Sequence, residues 1–492
     1  MGRLVNSRDC TGAEARECLR RNWETAKADR ARPRFHFCPM SGWMNDPNGG
    51  IFVDGEYHFF YLQDPFDACG ISAAELPDGT VVEGAEKPNR FWAHARTGDF
   101  IHWDYLPETL VPDRDRGEIK PISGSVLERK DGSYLMAFTS VREDGSYCQW
   151  GAEADKGLER WTRLDKPLAD PPDAFEISGD WRDPYLFLWD ETGYMVVGAV
   201  SGGEALLLLY EAEDESLLHW QYKGIFLSRP VEQVAFFECP KVLKMGDKMV
   251  LLFSPYKQME YYAGEFEPLE GRFLVQQTGK IDYGVVAYAS VDVEDEWENT
   301  YLLSWAPGWF NRKGISFSAW NGCVATPRKV WLDSKGCLRQ VPCESMELLR
   351  GKTLFQWEEQ QSVALGSIEV SGLPLQFEFS IKIKEKPKEG WHLSFSDSST
   401  GEVLQILSCQ GESVLIDGED IFMQDGVMEL HGFVDGFLWE YFIGSGEAVM
   451  TSGISRVPET VDMKLEGGQE LYRIMNVTIW KIMDAKFCDC ML

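Results

Sequence analysis

The chain is poor in histidine, with seven in 492 residues, has no dense run of lysine or arginine, and holds most of its cysteines apart from one another. With 48 Lys+Arg against 79 Asp+Glu, its formal net charge is −31. Nucleic acids and anionic membrane surfaces recruit basic patches, so neither is an expected partner, and a neutral or weakly charged substrate is favoured. No apolar run is long enough to span a membrane, and no apolar h-region lies between Met1 and Arg34. A cytoplasmic protein is therefore the expectation. The twelve cysteines stand singly apart from Cys488-x-Cys490, which predicts free buried thiols in a reducing compartment instead of a disulfide framework. The histidines show no ligand-like pairing and the lone Cys-x-Cys lacks a second pair of ligands, so no metal site is predicted.

What is present is apolar and aromatic: 44% hydrophobic residues and 18 tryptophans, enough for two or three domains with sizeable cores. A helix is predicted over 13–27 within an N-terminal extension (1–33). From 34 to 341 the pattern is all-β and repetitive. Four hairpins share one format, an apolar strand, a tight turn and a second apolar strand. Their turns are Asp54-Gly55, Asp131-Gly132, Thr192-Gly193 and Gly246-Asp247, and a less regular fifth unit spans 281–341. Spacings of this size suit four-stranded blades and predict a five-bladed β-propeller. A linker (342–353), helical near 344–350, leads to a segment (354–492) of strictly alternating strands, which predicts a β-sandwich.

Around Trp43-Met44-Asn45-Asp46-Pro47-Asn48-Gly49-Gly50 the chain must be extended and then turn, because Pro47 pushes Asp46 out of the α region. Alone, Asp46 reads as a turn residue. The same entrance recurs as Arg182-Asp183-Pro184 and Glu238-Cys239-Pro240, with Ile122-Ser123-Gly124-Ser125 in the second unit. Asp46, Ser123, Asp183 and Glu238 fall eight or nine residues before their turns, which aims three acids at one channel.

Two carboxylates in different environments are the minimum for glycoside hydrolysis. Glu238 follows Phe236 and Phe237, an apolar setting that suits a protonated general acid. Asp46 lies among Asn45, Asn48 and glycine backbone, which suits an ionised nucleophile, and Asp183 beside Arg182 stays charged. Trp43, Trp92 and Trp103 are candidate stacking platforms for a sugar, although each taken alone is better suited to a core.

These residues resemble glycoside hydrolase family 32, the invertase, inulinase and levanase group. The similarity runs from about 34 to 481: Phe35-His36-Phe37 through Gly42–Gly49 resembles the nucleophile motif, Arg182-Asp183-Pro184 the transition-state-stabilising motif and Glu238-Cys239-Pro240 the acid/base motif. Trp92-Ala93-His94-Ala95, Ile122-Ser123-Gly124-Ser125, Phe433-Val434-Asp435 and Glu440-Tyr441-Phe442 resemble further family segments. The resemblance implies a retaining β-fructofuranosidase acting on sucrose or short fructo-oligosaccharides. Asp46 would attack C2, Glu238 would serve as acid then base, and Asp183 would bind ring hydroxyls. It also implies sugar contacts from Trp43, Asn45, Gln63, Trp92, Ile122, Ser123 and Arg182, with no cofactor and no metal.

Departures from the family pattern bear on the substrate. Leu62 holds the place of a sugar-binding Gln, with Gln63 one residue late, so either a bulge returns Gln63 to the pocket, the favoured expectation, or that contact is lost. Phe237 stands for a Trp, Ile122 for a Phe and Lys241 for an Asp, and 66–90 forms a longer connection that reads either as a plain exposed loop or as a rim flap on the leaving-group side. Fructosyl transfer through the same intermediate is the neighbouring reading. A non-catalytic sugar-binding propeller is the alternative of another class, and an arabinofuranosidase-type propeller is opposed by the Trp43–Gly49 run.

Overall fold

A computed structural model describes residues 11–66, 90–307 (without 155, 175 and 179), 319–358, 367–384, 390–423, 428–467 and 474–491. The proposed rim flap falls almost wholly outside the described residues.

Five sheets follow one another along the first part of the chain. Their first strands, Gly42–Val53, Glu118–Glu128, Trp181–Trp189, Glu238–Met245 and Tyr288–Glu294, neighbour one another in turn, and the fifth returns to the first. That closed ring is a five-bladed propeller with one innermost strand per blade. The close approach explains Gly50, where a Cβ would lie 1.9 Å from the Asp292 carbonyl of blade five. Apolar side chains fill the spaces between blades, such as Leu62, Trp92, Val126 and Phe138 between blades one and two.

The third hairpin turns two residues earlier than expected. Asp190 and Glu191, both with left-handed φ, make the turn, and Thr192–Ser201 is already strand. Gly193 serves packing, since a Cβ there would lie 2.4 Å from Leu217.

Blade one is assembled from distant pieces of chain. Trp320–Asn321 adds a parallel strand beside Gly42-Trp43, and Lys486–Asp489 adds another along His102–Tyr105. The N-terminal helix Gly12–Ala28, started by a Thr11/Glu14 capping box, braces this blade. Its Arg16 pairs with Glu108 at 2.5 Å and its Arg20 with Asp489 at 2.6 Å.

The second domain is two six-stranded sheets packed on Phe377, Phe395, Trp439 and Tyr441. Its limits differ from 354–492. The linker's helical turn is Glu344–Leu349, and the sandwich begins with the strand at Arg350, which Glu378 grips at 2.8 and 2.6 Å. It ends at Ile482, because Phe487 leaves it to stack on Tyr105 of blade one.

A fully buried polar cluster joins the two domains. His36 bonds Asp435 at 2.9 Å and Glu440 at 2.7 Å, while Arg328 bridges Asp282 at 2.8 Å and Glu440 at 3.3 Å. Burial opposes the imidazolium, yet its hydrogen bonds to Asp435 and Glu440 raise the His36 pKa to about 9. Burial likewise opposes the Glu440 carboxylate, and His36 and Arg328 still hold it down to about 2. No described helix is long and apolar enough to cross a membrane.

Candidate active site

Every innermost strand carries a register break at the same end. The extra residues are Asn45-Asp46, Ser123, Asp183-Pro184, Cys239-Pro240 and Ala289-Ser290. A bulge inserts backbone that the ladder cannot pair and re-aims the side chains beside it. Asp183, Cys239 and Ala289 take φ of 66°, 48° and 47°, an unfavourable region for residues with a Cβ.

The freed N–H groups are taken up by the preceding blade. Gly124 N–H donates to Asn48 Oδ1 at 3.1 Å, and Asp183 N–H to Thr139 Oγ1 at 2.9 Å. Cys239 N–H donates to Asp183 Oδ2 at 3.0 Å, and Ala289 N–H to Ser254 Oγ at 3.1 Å. The bulges of blades two to five are thus each latched to the preceding blade, which holds strained backbone in place.

Asp46 and Asp183 lie inside their bulges, whereas Glu238 is the last paired residue before its own, matching Arg182 in blade three and Tyr288 in blade five. That shared slot lines up three side chains. Arg182 Nη1 donates to Glu238 Oε1 at 2.8 Å, and Tyr288 donates to Glu238 Oε2 at 2.5 Å. Arg182 also reaches Asp183 at 3.0 Å, Asp180 at 3.2 Å and the Tyr256 hydroxyl at 2.5 Å. The guanidinium lies over the Phe236 ring, 4.6 Å from its centroid.

Burial raises the Glu238 pKa most. Arg182 opposes it, Asp183 and Asp46 add to it, and the result is about 7. Asp46 is also raised, first by burial and then by Asp183, against the hydrogen bond that it accepts from Ser123 Oγ at 3.0 Å. The polar setting expected to keep Asp46 low is therefore outweighed. Asp183 is 2% exposed, and its Oδ1 has no hydrogen-bond partner, nor have Asn45 Oδ1 and Trp43 Nε1. Unsatisfied buried polar atoms beside an acid cluster are what hydroxyl groups of a ligand can satisfy.

The family model described as "Glycosyl hydrolases family 32 N-terminal domain" matches residues 36–74 and 77–342. The chain belongs to glycosyl hydrolase family 32. It is 25% identical over 487 residues to a sucrose-6-phosphate hydrolase of Escherichia coli, covering 92% of this chain and 94% of that protein. It is 28% identical over 345 residues to a raffinose invertase of the same organism, covering 65% and 66%. Among solved structures, the fold matches a Bombyx mori family 32 β-fructofuranosidase mutant in complex with sucrose, with TM-score 0.77, 22% identity and coverage of 96% and 98%. It also matches a Cichorium intybus fructan 1-exohydrolase in complex with 1-kestose, with TM-score 0.75, 21% identity and coverage of 94% and 100%.

Within this family 32 chain, the sugar contacts implied by sequence are only partly brought together. Ser123 and Arg182 touch the acids directly. Asn45 neighbours Asp46 in the bulge, and Trp43 is buried edge-on to Trp305 with Arg90 3.7 Å over its ring. Gln63 is not at the site. The strand Glu56–Asp64 pairs with Phe91–Thr97 without a break, and Gln63 Nε2 donates to the Ser41 carbonyl at 2.9 Å. The bulge lies instead in the facing strand, opposite Leu62, which packs between blades. Trp92 is fully buried and donates to the Ile122 carbonyl at 3.2 Å, so it supports the Ser123 segment from behind. Ile122 is half-buried against the same interblade core. Trp103 is core, packed on Phe37 and Phe59. Lys241 is buried, 5.3 Å over the Tyr185 ring.

Tyr288, Tyr256, Asp180 and Thr139 were not anticipated. Only Tyr288 had an available signal, its place at the start of the irregular fifth unit.

Proposed function

We propose that this chain is a retaining β-fructofuranosidase that releases terminal β-D-fructofuranosyl groups from sucrose or short fructo-oligosaccharides. The observation that carries this reading is the convergence of three acids, with Arg182 bonded to both Asp183 and Glu238 and Ser123 bonded to Asp46; burial, which pushes Glu238 up to about 7, supports it. A carboxyl group with that pKa is protonated for part of the time near neutrality and can protonate a leaving oxygen. Asp46, oriented by Ser123, attacks C2 from the opposite side to give a fructosyl-enzyme, and Glu238 then takes a proton from the incoming water. Asp183, pinned through Oδ2, keeps Oδ1 for ring hydroxyls.

Judged on the described residues alone, a neutral sugar suits the pocket better than a phosphorylated one. Arg182 is engaged by three carboxylates, and Arg90 lies on the Trp43 ring. The ten described cysteines are all free thiols, which accords with a reducing, cytoplasmic setting. The test is a hydrolysis panel of sucrose, sucrose 6-phosphate, kestose, inulin and levan, with the anomer first released followed by NMR. Turnover of sucrose and kestose with release of β-fructose is expected. Inversion, or activity surviving Asp46→Ala, overturns the mechanism.

A further inference from the structure

The Cys488-x-Cys490 pair gains a third ligand that the sequence does not place beside it. The strand Lys486–Asp489 runs parallel to the outer strand of blade one, in a register that sets Cys488 against Asp104. Cys490 N–H donates to the Tyr105 carbonyl at 2.9 Å, which fixes the residue beyond the strand's end. The two sulfurs lie 3.5 Å apart, and a carboxylate oxygen of Asp104 completes a group whose ligand atoms are all within 4.8 Å of one another.

These distances fit one ion. Two thiolates at about 2.3 Å from a tetrahedral zinc lie roughly 3.8 Å apart, so the pair needs only a few tenths of an ångström of adjustment. Asp104 is already oriented, because Arg96 donates to its Oδ2 through Nε and Nη2, both at 3.1 Å, and is itself paired with Glu56 at 3.2 Å. A ligating carboxylate is commonly held in this way by a hydrogen bond to its other side. Two sulfurs with one carboxylate suit a thiophilic, tetrahedral cation and disfavour magnesium or calcium. Cys488 is exposed, so the site is open to solvent, and a water can serve as fourth ligand.

We propose that Cys488, Cys490 and Asp104 form a zinc-binding site that staples the C-terminal strand to blade one. On binding, both thiols lose their protons to solvent as the two Zn–S bonds form, with no change of oxidation state. The staple acts on the blade that carries Asp46, but none of its ligands belongs to the catalytic cluster.

The test uses the full chain, reduced and stripped of metal by chelation. Cadmium is titrated while the thiolate-to-metal charge-transfer band is followed, and zinc affinity is measured by competition with a chromophoric chelator. One equivalent should bind with the band present, and zinc should raise the unfolding temperature. Cys488→Ser with Cys490→Ser should abolish all three effects, and Asp104→Asn should weaken affinity at least about tenfold. Fructoside hydrolysis by the metal-free enzyme should be unchanged in the Cys488→Ser single variant. If the double variant does not fold, Cys488→Ser alone, at an exposed position, must still lose the band. No band in the parent chain, or a band that persists in these variants, overturns the proposal.

Discussion

Tyr288 of blade five donates its hydroxyl to Glu238 of blade four at 2.5 Å, while its own oxygen accepts the Tyr256 N–H at 3.1 Å. This hydrogen bond favours the ionised carboxylate and so lowers the Glu238 pKa against burial. Tyr288→Phe should therefore move the basic limb of the kcat/KM profile to higher pH, and kcat should fall about tenfold or more. A residue that only fills space would leave the limb where it is.

In the proposed mechanism the two reacting acids, Glu238 and Asp46, set the whole pH profile. Glu238 works protonated, so activity should fall as pH rises through about 7. Asp46 works ionised and its pKa is raised, so the acidic limb should lie above the ordinary aspartate range. Glu238→Gln should lose about 10²–10⁴-fold on sucrose, with the basic limb gone and much of the loss recovered on a fructoside with a leaving group that needs no proton.

Thr139 carries no chemistry but accepts the N–H of the strained Asp183. Thr139→Val keeps the shape and leaves that donor unpaired. A loss of about 1–3 kcal/mol in denaturant unfolding is expected, with activity reduced beyond the stability effect because Asp183 is no longer held.

Gln63 gives the opposite prediction. Its amide donates to the Ser41 carbonyl, so Gln63→Leu should leave KM for sucrose unchanged and lower the unfolding temperature. A raised KM would return Gln63 to the pocket.

The interdomain cluster predicts a stability plateau. His36 has a folded pKa of about 9 against an ordinary 6.5, so its contribution is complete below about 6.5 and lost as pH rises through 9. Glu440, at about 2 against 4.5, contributes fully above about 4.5 and loses its effect as pH falls toward 2. Thermal unfolding between pH 3 and 10 should show both edges, and Glu440→Ala should cost about 3–5 kcal/mol by leaving buried partners unpaired.

The repeats, the propeller and the sandwich were legible in the alternation of apolar residues and in the turns. The acids were legible because a proline follows within two residues of each. What was not legible is register. A bulge inserts residues without changing the period-two pattern on either side of it, so nothing in the order of residues told Asp183, inside a bulge, from Glu238, in front of one. The same blindness misplaced Gln63, since the extra residues could equally have belonged to either of two paired strands. Parallel pairing of the last strand with blade one joins Cys488 to Asp104 across most of the chain, and no local signal announces such a contact.

Blade one is closed on one side by Trp320–Asn321 and on the other by Lys486–Asp489. During synthesis, the strand that bears Asp46 leaves the ribosome early and waits for both of these partners. Blades two to four can form from contiguous chain in the meantime. The blade that carries Asp46 is thus the one completed last. A nascent chain halted before residue 486 would carry all three acids and still lack the finished support of the first.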